Sequence, residues 1–478
     1  MANNEDYTGK KIKDTYKSIL HLGSDSNVYD GTGSIIIPKN FTRLISQSID
    51  FTYTSSVTYI GATLSPTFFS VCVGENPCGI YSSGSFIVKE YSGLCIKQFP
   101  PKTSPTAYSK LSSFTFRNLV GIVDDFNISN YHTLKEIHLP SLKYVIGNLS
   151  WNNSENIERC DVSSLEYVGS FLPNSGSIDM NSMDLPSLSN CAGDFSPSTL
   201  LCNTMNIDNL HYIGGRFGVT NLTNLTNISG SSLISIGGDF NPTSCSNAHT
   251  MIFNNLTNIH GNFNPVGLPL CDNISFNKLV YVGGNFSPVS MSVLLDNIGN
   301  QFPLLEHIEG DFTLHVLESC SSVSFGELVT VSGSYSVSNM DNLLEINHPN
   351  LLNIRGVKSV FNNINLTTIT LPNIQRVEGG LHYYNCPNLS DINIGYSLSS
   401  LGFGDVNITD ASLSPYSVEI ILQSLARLDG TNSTTLWGSG RTVNLSGGTS
   451  CGIALLTPSA ILSRNILSTR GVVVILNN

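Results

Sequence analysis

The hydrophobic positions along this chain recur with a period of about 23 residues. The pattern Leu-x-x-(Ile/Val)-x-Gly-x-Phe appears as Leu210/Ile213/Gly215/Phe217, Leu233/Ile236/Gly238/Phe240 and Leu256/Ile259/Gly261/Phe263, and again as Leu279/Val282/Gly284/Phe286 and Leu305/Ile308/Gly310/Phe312. Its glycine column runs from Gly147 to Gly379 at intervals of 22–26 residues. In later copies the aromatic column becomes Tyr335, Lys358 and Leu381. Repeats of this length are supersecondary units that cannot bury an apolar face alone and lean on their neighbours. Eleven and thirteen residues after the aromatic position an alternating apolar pair returns, as in Met251/Phe253, Ile274/Phe276, Val323/Phe325, Ile369/Leu371 and Ile392/Ile394. Alternation with a period of two predicts short half-buried strands rather than helices. Turn pairs such as Ser196-Pro197, Asn241-Pro242 and Asn264-Pro265 lie between the strands and mark corners. Glycine beside a strand implies a positive φ or a close backbone approach between rungs. The expected fold is mainly β: a β-solenoid with Leu, Ile/Val and Phe columns inside.

The flanks differ from the repeats. Residues 1–105 open with an amphipathic helix candidate, Lys10 to Leu20, and continue as strand-like segments at Ser34–Ile37, Ser56–Ile60 and Ser85–Val88. Pro100-Pro101-Lys102-Thr103-Ser104-Pro105 reads as a stiff linker. These features predict an N-terminal β-rich attachment or assembly domain over 1–105, the solenoid over 106–404, and a small α/β C-terminal cap over 405–478. In the cap, Val418, Ile421, Leu422, Leu425 and Leu428 share a helical face after Ser414. Thr457-Pro458 supplies a capping residue and a first-turn proline for a second helix. Strands at Thr442–Thr449 and Val472–Leu476 complete a helix–strand–helix–strand unit. It is expected to cover the open apolar end of the solenoid and blunt its edges.

Composition narrows the function classes. Only 12% of residues are charged, against about 25% in ordinary soluble proteins, and Ser, Asn, Thr and Gly dominate the polar remainder. The net charge of −12 and the lack of a basic stripe argue against nucleic-acid binding. The N-terminus lacks a charged-then-apolar leader pattern, and no run of about 18 apolar residues is present to span a bilayer. The eleven cysteines are scattered, without a Cys-x-x-Cys pair to suggest zinc. They are expected to be free and buried, Cys191 in a core column, with a Cys72–Cys78 bridge as the alternative.

Chemistry-bearing positions are few. Between Gly and Phe stand Asp194, Arg216, Asp239, Asn262, Asn285, Asp311 and Ser334. As a carboxylate line this column suits a polysaccharide-cleaving β-helix, with Asp194 and Asp239 two rungs apart, about 9.6 Å by strand spacing. The simpler reading is a solvent-facing strand position tolerant of Asp, Asn and Ser, and it is preferred. His260, His307 and His382 read as exposed rung residues, with no metal spacing among the histidines. The Asn-x-Ser/Thr sequences at Asn221, Asn224, Asn227, Asn255 and Asn285 read as turn asparagines rather than glycan acceptors. Tyr383, Tyr384 and Trp437 read as surface aromatics able to stack on sugars or to fill the join with the cap, the second role being preferred for Trp437. No catalytic, cofactor-binding or metal-binding residue is expected, and no cofactor.

Three stretches carry resemblances. The tail segments Leu-Ser-x-x-Ser-Val-x-x-Ile-Leu (413–422), Val-Asn-Leu-Ser-Gly-Gly-Thr-Ser (443–450) and Thr-Arg-Gly-Val-Val-Val (469–474) resemble a terminal module of bacteriophage tail and other virion proteins. Val472 stands where that module's closing strand usually has tryptophan. The opening Lys-Ile-Lys-Asp-Thr-Tyr-Lys-Ser-Ile-Leu, followed by Asp30-Gly31-x-Gly33, is similar to N-terminal segments of marine phage fibre proteins. The Leu-x-x-Ile-x-Gly-x-Phe rungs resemble receptor L domains and related leucine-rich β-helices, which is informative for architecture and not for function. These resemblances imply a virion structural protein, a tail fibre or receptor-binding surface component made in a host cytoplasm. The implied partners are other virion proteins through residues 1–105, a host surface glycan or receptor, and further copies in a homo-oligomer, a trimer being one form. A polysaccharide depolymerase and a cell-surface adhesin are the competing classes.

Overall fold

The computed structural model describes residues 134–478 except 153, 155, 179–181, 289–295, 318 and 431–435. Before residue 134 it describes 119–122, 125–128 and the backbone of the strands Ile35–Ile37, Val57–Tyr59, Ala62–Thr63, Gly84–Val88, Leu94–Ile96 and Leu111–Phe116. The helix expected from Lys10 to Leu20 and the Cys72–Cys78 pair lie outside the described residues. Two compact units divide the chain: Met1–Gly238 with Pro242–Ala248, and Asp239–Asn241 with His249–Asn478.

In the first unit, short parallel strands stack rung on rung. Val145, Val168, Cys191, Ile213 and Ile236 pair in one register and are buried, so the Ile/Val column is a true core column and Cys191 belongs to it. Phe171, Phe195 and Phe217 stack face to face beside it at 5.1 and 5.8 Å. A second side pairs Met183 with Met205, again inward. Nearer the N-terminus, Gly84–Val88 and Leu94–Ile96 pair in parallel with Leu111–Phe116 and Leu119–Ile122.

The second unit repeats the scheme. Ile259, Val282, Ile308, Val331, Ile354 and Val377 form one ladder, and Val323, Ile346, Ile369 and Ile392 another. Phe240, Phe263, Phe286, Phe312 and Tyr335 stack at 4.6–5.6 Å. A second aromatic column, Phe253, Phe276, Phe302 and Phe325, meets the first edge-on. Each buried ring contributes about 1.5–3 kcal/mol from area alone, and the paired geometries add about 0.5–1.5 kcal/mol. Leu233, Ile236, Phe240 and Phe263 are all fully buried, as the period requires.

Close approach, not positive φ, explains the glycine column. A Cβ on Gly215, Gly310 or Gly333 would strike the Oδ1 of the preceding rung's Asp194, Asn285 or Asp311, and one on Gly169 would strike the Gly147 carbonyl. Positive φ falls elsewhere, on Thr199, Asn221 and Ser244, and on Asn339, Asn362, Asn385 and Asp410 at φ of 52–56°.

After residue 404 the rungs continue with longer excursions. Val406–Thr409, Thr442–Asn444 and Val473–Ile475 extend the seven-stranded sheet that begins at Phe312–His315. Helix α1, Pro415–Ala426, is capped by the Ser414 side chain, and helix α2, Pro458–Thr469, by Thr457, both with proline in the first turn. The order helix–strand–helix–strand is the one expected. Helix α1 covers one edge: the Ser417 hydroxyl accepts from Ile392 N at 2.9 Å and donates to Ser390 O at 2.8 Å, closing the strand Asp391–Asn393. The expectation that the terminal segment blunts the edges holds for that strand and is corrected for the seven-stranded sheet. Val473–Ile475 is itself the last strand of its sheet, with Val473 and Ile475 exposed.

Candidate functional site

The carboxylate column is a hydrogen-bonding ladder between rungs. In the first unit Asp194 Oδ1 accepts from the Arg216 amide at 2.8 Å. In the second, Asp239 Oδ1 accepts from the Asn262 amide at 2.7 Å and Asn262 Oδ1 from that of Asn285 at 2.7 Å. Asn285 Oδ1 accepts from the Asp311 amide at 2.8 Å, and Asp311 Oδ1 from the Ser334 amide at 2.7 Å. Each short side chain satisfies a backbone donor that the turn into the aromatic strand leaves unpaired. Asp and Asn both serve because each supplies the acceptor oxygen; Asn262 also donates its Nδ2 to Asp239 Oδ1 at 2.9 Å. The position is therefore more than the tolerant surface site that alternation suggests. Turn asparagines do related work: Asn350, Asn373 and Asn388 donate Nδ2 to carbonyls of the preceding rung at 2.8–2.9 Å.

A polar cluster lies inside the core; the repeat puts Tyr335 and Lys358 in the aromatic column, but nothing in the sequence pattern brings His348 to them. Where the aromatic columns end, Tyr335 follows Phe312 and His348 follows Phe325. The Phe325 amide donates to His348 Nδ1 at 3.3 Å, so Nε2 carries the proton and donates to Tyr335 Oη at 2.8 Å. Lys358 succeeds Tyr335 in the column and is fully buried, its Nζ 3.8 Å from the Tyr335 ring centre and 5.5 Å from that of Tyr383. Neither Lys358 Nζ nor Tyr383 Oη has a hydrogen-bond partner. Burial pushes the lysine amine down to about 7, and burial with the neighbouring Lys358 charge pushes His348 down to about 3. Burial raises both tyrosine hydroxyls. All four side chains are closed off from solvent, so the cluster cannot meet a substrate.

Other expected residues separate cleanly. Tyr383 is a core residue and not a surface aromatic, because its strand alternates from the inward Leu381. Tyr384 is exposed and stacks on Phe361. Trp437 is buried and donates Nε1 to Gly404 O at 3.2 Å, filling the join with the terminal segment. His260 is exposed, and His307 and His382 are half-buried. Cys160, Cys191, Cys202, Cys245, Cys271, Cys320, Cys386 and Cys451 are free, all but Cys160 buried. Burial holds the Cys191 thiol up at about 12, which makes it inert. Among the described residues no three His, Cys, Asp or Glu side chains gather as a metal site, and no helix is long and apolar enough to cross a membrane.

No curated protein and no solved structure matches the chain. A family model does match: over residues 106–194 and 310–421, in six copies, the sequence is similar to the BspA type leucine rich repeat region. The repeat columns, the stacked parallel strands and this match agree that the chain carries a β-solenoid of leucine-rich-repeat type.

Proposed function

We propose that this chain is a binding protein without catalytic activity, working through the lateral faces of its solenoid in attachment to a surface. The observation that carries this reading is the Asp/Asn column, whose acceptor oxygens hold the amides of the next rung. Similarity to a leucine-rich repeat region supports a repeat protein of surface or adhesive interaction. A weakly charged, hydroxyl- and amide-rich exterior fits the same role. Binding of the purified, labelled chain to intact cells or extracted surface polymers, with products followed by chromatography, tests the proposal. Retention without product supports it, and polymer cleavage refutes it.

The narrower form of the proposal is a virion surface component, anchored through residues 1–105 and made in a host cytoplasm. Its support is the resemblance of both terminal segments to phage fibre and tail proteins. Self-association through residues 1–105 belongs to this form. Mass spectrometry of virus particles from the source decides it: the chain among the particle proteins supports the virion role, and its absence removes it.

A further inference from the structure

The seven-stranded sheet of the second unit turns alternate residues outward. Its register places Phe361, Tyr384 and Thr409 in one outward row that continues from the buried Ser338, with His382 and Asn407 in the row beside it. Phe361 and Tyr384 stack on each other at 5.0 Å with planes only 6° apart. Stacking on Phe361 occupies one face of Tyr384. The other looks along the sheet over Thr409, a side chain too short to cover it, and Tyr384 is 39% exposed. Next to this row runs a ladder of amides held at positive φ. Asn362 Nδ2 donates to Asn339 Oδ1 at 3.1 Å, and Asn385 Nδ2 to Asn362 Oδ1 at 2.8 Å; the exposed Asn385 stands beside Tyr384, and the exposed Asp410 takes the same positive-φ position beside Thr409 in the next rung. No Asp, Glu, Lys or Arg stands in either outward row from Thr313 to Thr409.

We propose that this face binds a neutral sugar, a pyranose ring lying on the open side of Tyr384 above Thr409. The inference deepens the binding role proposed above and rests on it. An aromatic face receives the apolar C–H side of a pyranose, as rings with one apolar and one wet side do at recognition surfaces. Amide and hydroxyl groups around the ring supply donors and acceptors for sugar hydroxyls. Rows without a cation, with the Asp410 carboxylate beside them, offer nothing to a phosphate backbone or an acidic peptide, which need cationic partners. Two rings alone are also a small apolar patch for a protein partner, whose anchors sit in well-packed, desolvated pockets. The Phe361 ring holds Tyr384 upright, so it is a positioning residue while Tyr384 makes the contact.

Titration calorimetry of the full chain with dextran, mannan and cello-oligosaccharides tests the site, using Tyr384→Ala, Tyr384→Phe and wild-type protein matched for melting temperature. At least one of these neutral glycans is expected to bind wild type and Tyr384→Phe, and to bind Tyr384→Ala at least tenfold more weakly. Three results overturn the inference: none of the glycans binds, Tyr384→Ala binds as well as wild type, or wild type self-associates through this face while Tyr384→Ala is monomeric. Cell-surface retention measured alongside separates the two levels. If Tyr384→Ala still adheres to cells, the adhesive role stands and the sugar site falls; if wild type does not adhere, the broader reading falls first.

Discussion

Replacing Lys358 by Met should stabilise the solenoid, by an amount that follows from where the amine sits. The side chain occupies a core column between the Tyr335 and Tyr383 rings and its Nζ lacks a hydrogen-bond partner. Burial lowers the amine from its ordinary 10.5 to about 7. In the unfolded chain the amine holds its proton up to about pH 10.5, whereas in the folded chain it holds it only up to about 7. Between those values the unfolded state binds the additional proton, so this residue makes stability rise with pH from about 7 to about 10.5 and adds no slope below 7. At roughly 1.4 kcal/mol per tenfold change in proton affinity, the full effect is about 5 kcal/mol. Burial alone sets that shift, and contact of the ammonium with the Tyr335 ring, 3.8 Å away, offsets about 1–2 kcal/mol of it. Met has a similar length and no charge to desolvate, so a gain of about 3–5 kcal/mol is expected at pH 7, shrinking towards pH 10. Urea unfolding and hydrogen exchange of residues 335–383 at pH 6, 7.5, 9 and 10 read it out. The measured quantity is the difference between variant and wild type, because the buried thiols, with raised proton affinity, pull stability down above pH 9 in both. A variant no more stable than wild type at pH 7, or one whose advantage does not shrink with pH, would refute the reasoning.

Other predictions follow from the same structure. His348, lowered from 6.5 to about 3, stays neutral in the fold while the unfolded chain takes up its proton. Stability should therefore fall as pH drops from 6.5 towards 3, and Tyr335→Phe with His348→Phe, which restores both aromatic columns, should flatten that fall in acid unfolding curves. Gly310→Ala should cost about 1–3 kcal/mol in thermal or urea unfolding, because the new Cβ meets Asn285 Oδ1. Asp311→Asn should be nearly neutral and Asp311→Ala should cost about 1 kcal/mol, since only the Asn keeps an acceptor for the Ser334 amide.

Much of this fold is legible in the sequence because its columns are made of like residues. Leu233, Ile236 and Phe240 repeat at one spacing, and each is buried against its own kind. The caps of α1 and α2 are equally local, a hydroxyl followed by proline, and read directly from Ser414-Pro415 and Thr457-Pro458. What the sequence conceals is chemistry created by stacking. Asp311 bonds an amide 23 residues away, so its role shows only when rungs are superposed. The repeat puts Lys358 in the column after Tyr335, but His348 looks like a surface residue until stacking places it behind Phe325. Tyr383 was within reach: strict alternation from the inward Leu381 puts His382 and Tyr384 outside and Tyr383 inside.

The measurement that bears most directly on the central claim is a comparison of wild type with the triple substitution Asp194→Asn, Asp239→Asn, Asp311→Asn on surface polysaccharides. Viscosity and reducing ends are followed with time, and circular dichroism melts are run on both proteins. If these side chains hold rungs together, both proteins should melt alike, bind alike and release no sugar. Cleavage by wild type that vanishes in the triple variant would contradict the account and make the column an active site.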